Sequence, residues 1–250
     1  MNQQMNTDTN TLKKSVVLLD PASLNKEGVS WLAFGRNREA IECFKQALVT
    51  MRASLHHQAP NNDTTLPPPA CSEHGKYSTV AIPIEEERFY MYSRATEFNT
   101  SHEAGVCERD YPLYSALILF NIGLAYHLRS SAQARQCGAE ERALGDAAYF
   151  YSMSLQILEA IQPYFKKSTI APVKLAALNN LAVVTYEQGN ARKAFWILRD
   201  TYQLLSPTLL QNNVNDDSSS GNSSSFDQSD FDGITLNSVM TKWTFSAPCA

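Results

Sequence analysis

The residues of this chain best suited to chemistry are its cysteines and histidines, five of each, and few of them fall at spacings that a reaction needs. Cys71-x-x-His74, with His102 and Cys107 further on, is the nearest approach to a metal site. Zinc accepts two cysteines and two histidines. Here the second half-site runs His then Cys with four residues between, and a long loop separates the halves. The expectation is loop cysteines and solvated histidines, with no metal bound. His102-Glu103 lacks the second histidine of HExxH, and the chain has no GxxxxGK[ST], no GxGxxG after a strand and no GxSxG. Cys43 and Cys137 lie in or near helical segments with no histidine placed to activate them, so Cys43 reads as a small, semi-buried side chain. His56-His57 falls at the end of a helical pattern, where a cation favours the helix dipole. Neither catalysis nor a cofactor is expected.

The totals narrow the classes further. The charge is 21 − 25 = −4, and adjacent basic pairs such as Lys13-Lys14 and Lys166-Lys167 are scattered and form no stripe, so no nucleic-acid footprint is expected. Cysteines at 43, 71, 107, 137 and 249 are odd in number and widely spaced, which argues against a disulfide framework. Residues 1–20 lack the apolar core of a secretory signal. No apolar run approaches the ~20 residues that cross a bilayer. The expectation is a soluble chain of the cytoplasm or nucleus with no membrane partner, where the sequons at Asn62, Asn99 and Asn222 carry no meaning.

What remains is the framework. Three stretches align: "LNKEGVSWLAFGRNREAIECFKQAL" from Leu24, "LFNIGLAYHL" from Leu119 with "LGDAAYFYSMSLQIL" from Leu144, and "LAALNNLAVVTYEQGNARKAFWIL" from Leu175. Each first helix carries a small residue, Gly28, Gly123 or Ala182, with Leu24, Leu119 or Leu178 four positions earlier and Trp31, Tyr126 or Thr185 three later. Each second helix carries Ala40, Ala147 or Ala194, with Phe44, Tyr151 or Leu198 four on. Offsets of three and four share a helical face. Small residues at a crossing let two helices approach, and large ones beside it fill the space. Gly35 and Gly189 mark sharp turns between the first and third pairs.

This pattern resembles the tetratricopeptide repeat, a helix–turn–helix of about 34 residues. The resemblance covers about 100 of the 250 residues. Glu27, Thr185 and Ser154 depart from it, and the second unit carries extra residues, "RSSAQARQCGAEERA", expected as a longer turn or longer helix ends. The fold implied is all-α: a helix–turn–helix solenoid with a small β-containing insertion and a disordered acidic tail. The divisions are an N-terminal segment 1–20, repeats over 21–57, 111–163 and 171–206, an insertion over 58–110, a linker over 207–233 and an apolar segment 234–250. Within the insertion, Gln58–Ser78 reads as an exposed loop. Thr79–Phe98 is rich in β-branched and aromatic residues and predicts a short strand pair or an extended arm, with Pro83 restricting it to an edge. The Ser/Asp/Asn-rich 212–232 stretch predicts disorder. Ser229, three residues before Asp232, suits an acidophilic kinase, whose phosphate would release a docked tail. The closing "ITLNSVMTKWTFSAPCA" is expected to fold back, with pairing to the 79–98 strands as one way of docking.

In solenoids of this type the first helices line a concave face, which the resemblance offers as a binding groove. One step around from Gly28, Gly123 and Ala182 lies a stripe of Asn25 and Val29, then Phe120, Leu124 and His127, then Asn179, Val183 and Tyr186, with Asn121 and Asn180 at its edge. Apolar area with interspersed amides suits an extended peptide or a helix, because asparagine pairs with backbone as donor and acceptor. A clamp for an acidic C-terminus needs several cations, which these positions lack. The function expected is an adaptor that binds a protein or peptide partner in this groove. Two alternatives stand beside it. One is a self-assembling, homo-oligomeric subunit whose groove is filled by its own insert or tail. The other is a metal or thiol protein on a helical scaffold.

Overall fold

Helical hairpins repeat along the chain because the sequence repeats its caps as well as its faces. The computed structural model describes residues 20–57, 77–82, 91–98, 110–133, 139–204, 230 and 232–237. Helix α1 (Pro21–Ala33) starts at Asp20, whose carboxylate accepts the Ser23 N–H at 3.1 Å, with Pro21 in the first turn. It ends at Gly35, at φ 70°: the Gly35 N–H bonds Leu32 O, and the Arg36 N–H bonds Trp31 O. This is a Schellman motif, and Gly189 (φ 79°) repeats it with Tyr186 O and Thr185 O. Asn190 then caps the next helix by accepting the Lys193 N–H.

Helix α2 (Asn37–His57) completes the first hairpin. Helices α3 (Tyr111–Gln133) and α4 (Ala139–Ile161) form the second, and α5 (Lys167–Glu187) and α6 (Ala191–Leu204) the third. The extra residues of the second unit lengthen both its helices. A 3₁₀ turn, Gln162–Tyr164, leads from α4 toward α5. Successive helices pack each against the next, from α1 to α6. Lys166 and Lys167 sit exposed where α5 begins.

The small residues lie at the crossings. A Cβ on Gly28 would sit 2.5 Å from the Phe44 ring, and one on Gly123 would sit 2.8 Å from the Tyr151 ring. Both rings are fully buried. In the third unit, where Leu198 replaces the ring, Ala182 replaces the glycine, and both are buried. Bulk is conserved across each crossing, as close packing requires. Ser154, the departure from alanine in the second unit, donates to Ala116 O across the α3–α4 interface at 2.8 Å. Glu27 accepts from the Trp31 indole.

Gly145 offers the contrast. It lies on exposed α4 surface, and a Cβ there meets nothing within 4 Å. Gly145→Ala is therefore expected to stabilise the chain by about 1 kcal/mol through helix propensity alone. Urea unfolding at equal m-value checks it.

The strand pair of the insertion comprises β1 (Tyr77–Ala81) and β2 (Arg94–Phe98), antiparallel with Thr79 opposite Thr96. β2 packs on α1 and α3. Pro83 lies outside the described residues. The tail differs in part from its expectation. Asp230 and 232–237 are helical, although composition assigned 230–233 to a disordered linker. Its described part, 232–237, folds back with Ile234 buried and is helical, and among the described residues the sheet has two strands, β1 and β2. The remainder of 207–229 and of 238–250 lies outside the described residues, as does Ser229. Among the described residues no helix is long and apolar enough to cross a membrane.

Candidate concave-face site

The asparagines of α1, α3 and α5 meet an extended backbone, and that backbone is the chain's own. Asn121, on α3, accepts the Thr96 N–H at 2.9 Å and donates to Thr96 O at 2.8 Å. Asn25, on α1, donates to the same carbonyl at 2.8 Å and accepts from Asn121 Nδ2 at 3.0 Å. The Thr96 hydroxyl lies 3.2 Å from Asn121 Oδ1 and 3.5 Å from Leu117 O. Because β2 alternates, the Thr96 amide groups point away from β1 and toward the helices. One edge of this strand is thus held by a second strand and the other by side-chain amides.

Four residues earlier the arrangement recurs. Asn180, on α5, accepts the Tyr92 N–H at 2.8 Å and donates to Tyr92 O at 2.9 Å. Its amide also bonds the Tyr151 hydroxyl at 3.2 Å, tying this contact to the ring that packs on Gly123. Tyr92 packs on Phe120, with centroids 6.1 Å apart, and Phe98 packs on Tyr114 at 4.2 Å. Tyr92 and Thr96 are each 2% exposed.

A second layer closes over the strap from the tail. Asn237 donates to Asn179 Oδ1 at 2.8 Å, and Asp230 pairs with Arg94 at 3.0 Å. The Asp230 side chain is 5% exposed, so the pair is largely withdrawn from water.

Of the residues assigned to an open groove, Asn25, Asn121 and Asn180 grip the strap and Asn179 holds the tail. Val29, Phe120, Leu124 and Val183 are core residues. His127 is buried, with Nε2 3.1 Å from the Glu187 carboxylate and Nδ1 without a hydrogen-bond partner. Tyr186 alone is partly exposed. The polar atoms of the expected groove are taken by residues 91–98 and 237. Tyr92, Thr96, Arg94, Asp230 and Asn237 were not among the residues expected here. The signal for them was the placement of four asparagines on an apolar face beside an insertion with strand character.

The titratable groups bear on stability. Burial raises the Cys43 thiol, with Glu27 adding to it. Burial also holds the Tyr77 phenol well above its ordinary value while its hydroxyl donates to Thr169 O at 2.8 Å, joining β1 to α5. Tyr114 is pushed up to about 12 by burial and then by the Asp110 charge. A raised phenol favours the fold fully below its ordinary value of 10 and loses that contribution as pH rises from 10 through 12. The urea midpoint should fall across that interval, and less steeply in Tyr114→Phe. Cys71, His74, His102 and Cys107 lie outside the described residues. Among the described residues no cluster of three His, Cys, Asp or Glu is arranged to hold a metal. The chain matches no protein-family model, no curated protein and no solved structure.

Proposed function

We propose that this chain is a non-catalytic interaction module of tetratricopeptide type, an adaptor of the cytoplasm or nucleus whose concave face grips extended polypeptide. The supporting observation is the pair of two-sided contacts at Tyr92 and Thr96, where asparagines satisfy both main-chain groups of an extended segment. Binding through main-chain bonds is how added strands gain affinity, with side-chain pockets supplying selectivity. Access for a protein partner comes by exchange with the strap. No metal, cofactor, nucleic acid or membrane enters this reading.

A second reading is favoured by the burial of the strap. A structural subunit with a permanently filled groove would self-associate through its other faces. Panning displayed random peptides, each the length of the 91–98 strap, separates the two. Enriched sequences that lose binding to folded Asn180→Ala support the adaptor. No enrichment, together with a discrete homo-oligomer in light scattering, supports the structural subunit.

A further inference from the structure

We infer that strap 91–98 is an intramolecular stand-in for a partner segment, and that the partner is an extended sequence with the strap's own pattern. The pattern is an aromatic residue, then a cation two positions on, alanine at three, threonine at four and an aromatic at six. This rests on the adaptor reading above.

Each position of the pattern has a distinct physical cause. The first aromatic, Tyr92, packs on Phe120 while Asn180 holds its main chain on both sides. The cation, Arg94, meets the withdrawn carboxylate of Asp230. Ala95 is fully buried, so a larger side chain would have to displace its neighbours. Thr96 uses its N–H, its C=O and its hydroxyl at once. Phe98 closes the pattern on Tyr114. A segment from another protein would be read along both edges, by Asn121 and Asn180 on one side and by β1 on the other, as in strand addition. The tethered strap competes at an effective concentration near millimolar, so wild-type protein should bind such a segment weakly. The Arg94–Asp230 contact is the natural point of release, because it joins the strap to the tail layer above it.

The probe is a fluorescein-labelled peptide of the 91–98 sequence, followed by polarisation. Arg94→Glu places like charges together and should loosen the strap while sparing the asparagines. The peptide should bind folded Arg94→Glu protein at least tenfold more tightly than wild type, and a peptide carrying T96P, which lacks the N–H that Asn121 accepts, should not bind. Equal binding of both peptides overturns the pattern. Native-state hydrogen exchange of wild-type protein keeps the test independent of the variant's folding. The Tyr92 and Thr96 amides should exchange at least about 100-fold faster than those of Ile122 and Ala177, through opening of the strap alone. Equal protection overturns displacement but leaves an adaptor acting through other faces. Opening without peptide binding overturns the groove as a binding site, and the adaptor reading built on it.

Discussion

Asn121→Ala is expected to cost about 3–5 kcal/mol, a large share of the 5–15 kcal/mol that stabilises a typical domain. The substitution orphans the Thr96 N–H, whose acceptor among the described residues is Asn121 Oδ1, and strips Asn25 Oδ1 of its donor. Each buried orphan costs about 1–3 kcal/mol. The Thr96 carbonyl keeps the bond from Asn25 and limits the damage. Asn121→Asp would restore an acceptor for the N–H but face a carboxylate toward the Thr96 carbonyl, so it should not rescue. Urea unfolding followed by circular dichroism gives the number, and a loss under about 1 kcal/mol would mean that the strap contributes little. Asn180→Ala removes the matching contact at Tyr92. If the strap releases as a unit, the double variant will lose less than the sum of the singles.

Gly28→Ala should destabilise by about 2–3 kcal/mol, although the same change in an exposed helix gains nearly 1 kcal/mol. The new methyl would sit 2.5, 2.7 and 2.9 Å from three atoms of the Phe44 ring. That ring is fully buried and has nowhere to retreat. Phe44→Leu in the Gly28→Ala background should recover part of the loss, because the third unit already pairs alanine with leucine at these positions. A double-mutant cycle measures the coupling, expected at about 1–2 kcal/mol. Additive single effects would place the clash elsewhere. Gly123→Ala should follow the same course more mildly, with its nearest ring atoms at 2.8 Å.

These crossings were legible because they are local. Gly28 and Phe44 are sixteen positions apart, their offsets repeat, and Gly35 and Gly189 mark the turns between helices. The strand pair was legible within two residues of its start, since Thr79, Val80 and Thr96 favour extended backbone. The occupant of the face that carries Asn25, Asn121 and Asn180 was not. Asparagine responds to any extended amide, so Asn25 and Asn180 announce that a backbone will be held without saying whose. The partners lie 71 and 88 positions away, beyond any periodicity. The tail misled in the opposite sense. A Ser/Asp-rich stretch reads as solvated, yet Asp230 is buried because Arg94 supplies the compensating charge.

The order of the strap's receptors along the chain also sets a schedule for biosynthesis. Thr96 leaves the ribosome after Asn25 but 25 residues ahead of Asn121, and Tyr92 emerges 88 residues ahead of Asn180. At about 5–20 residues per second, Tyr92 waits roughly 4–18 s for its receptor. During that interval β2 is a nascent strand with one edge unsatisfied, the kind of edge that templates aggregation. Two of its five residues, Arg94 and Glu97, are charged. In the finished fold Arg94 anchors the tail, and during synthesis the same pair of charges acts as a gatekeeper against association between ribosome-bound chains.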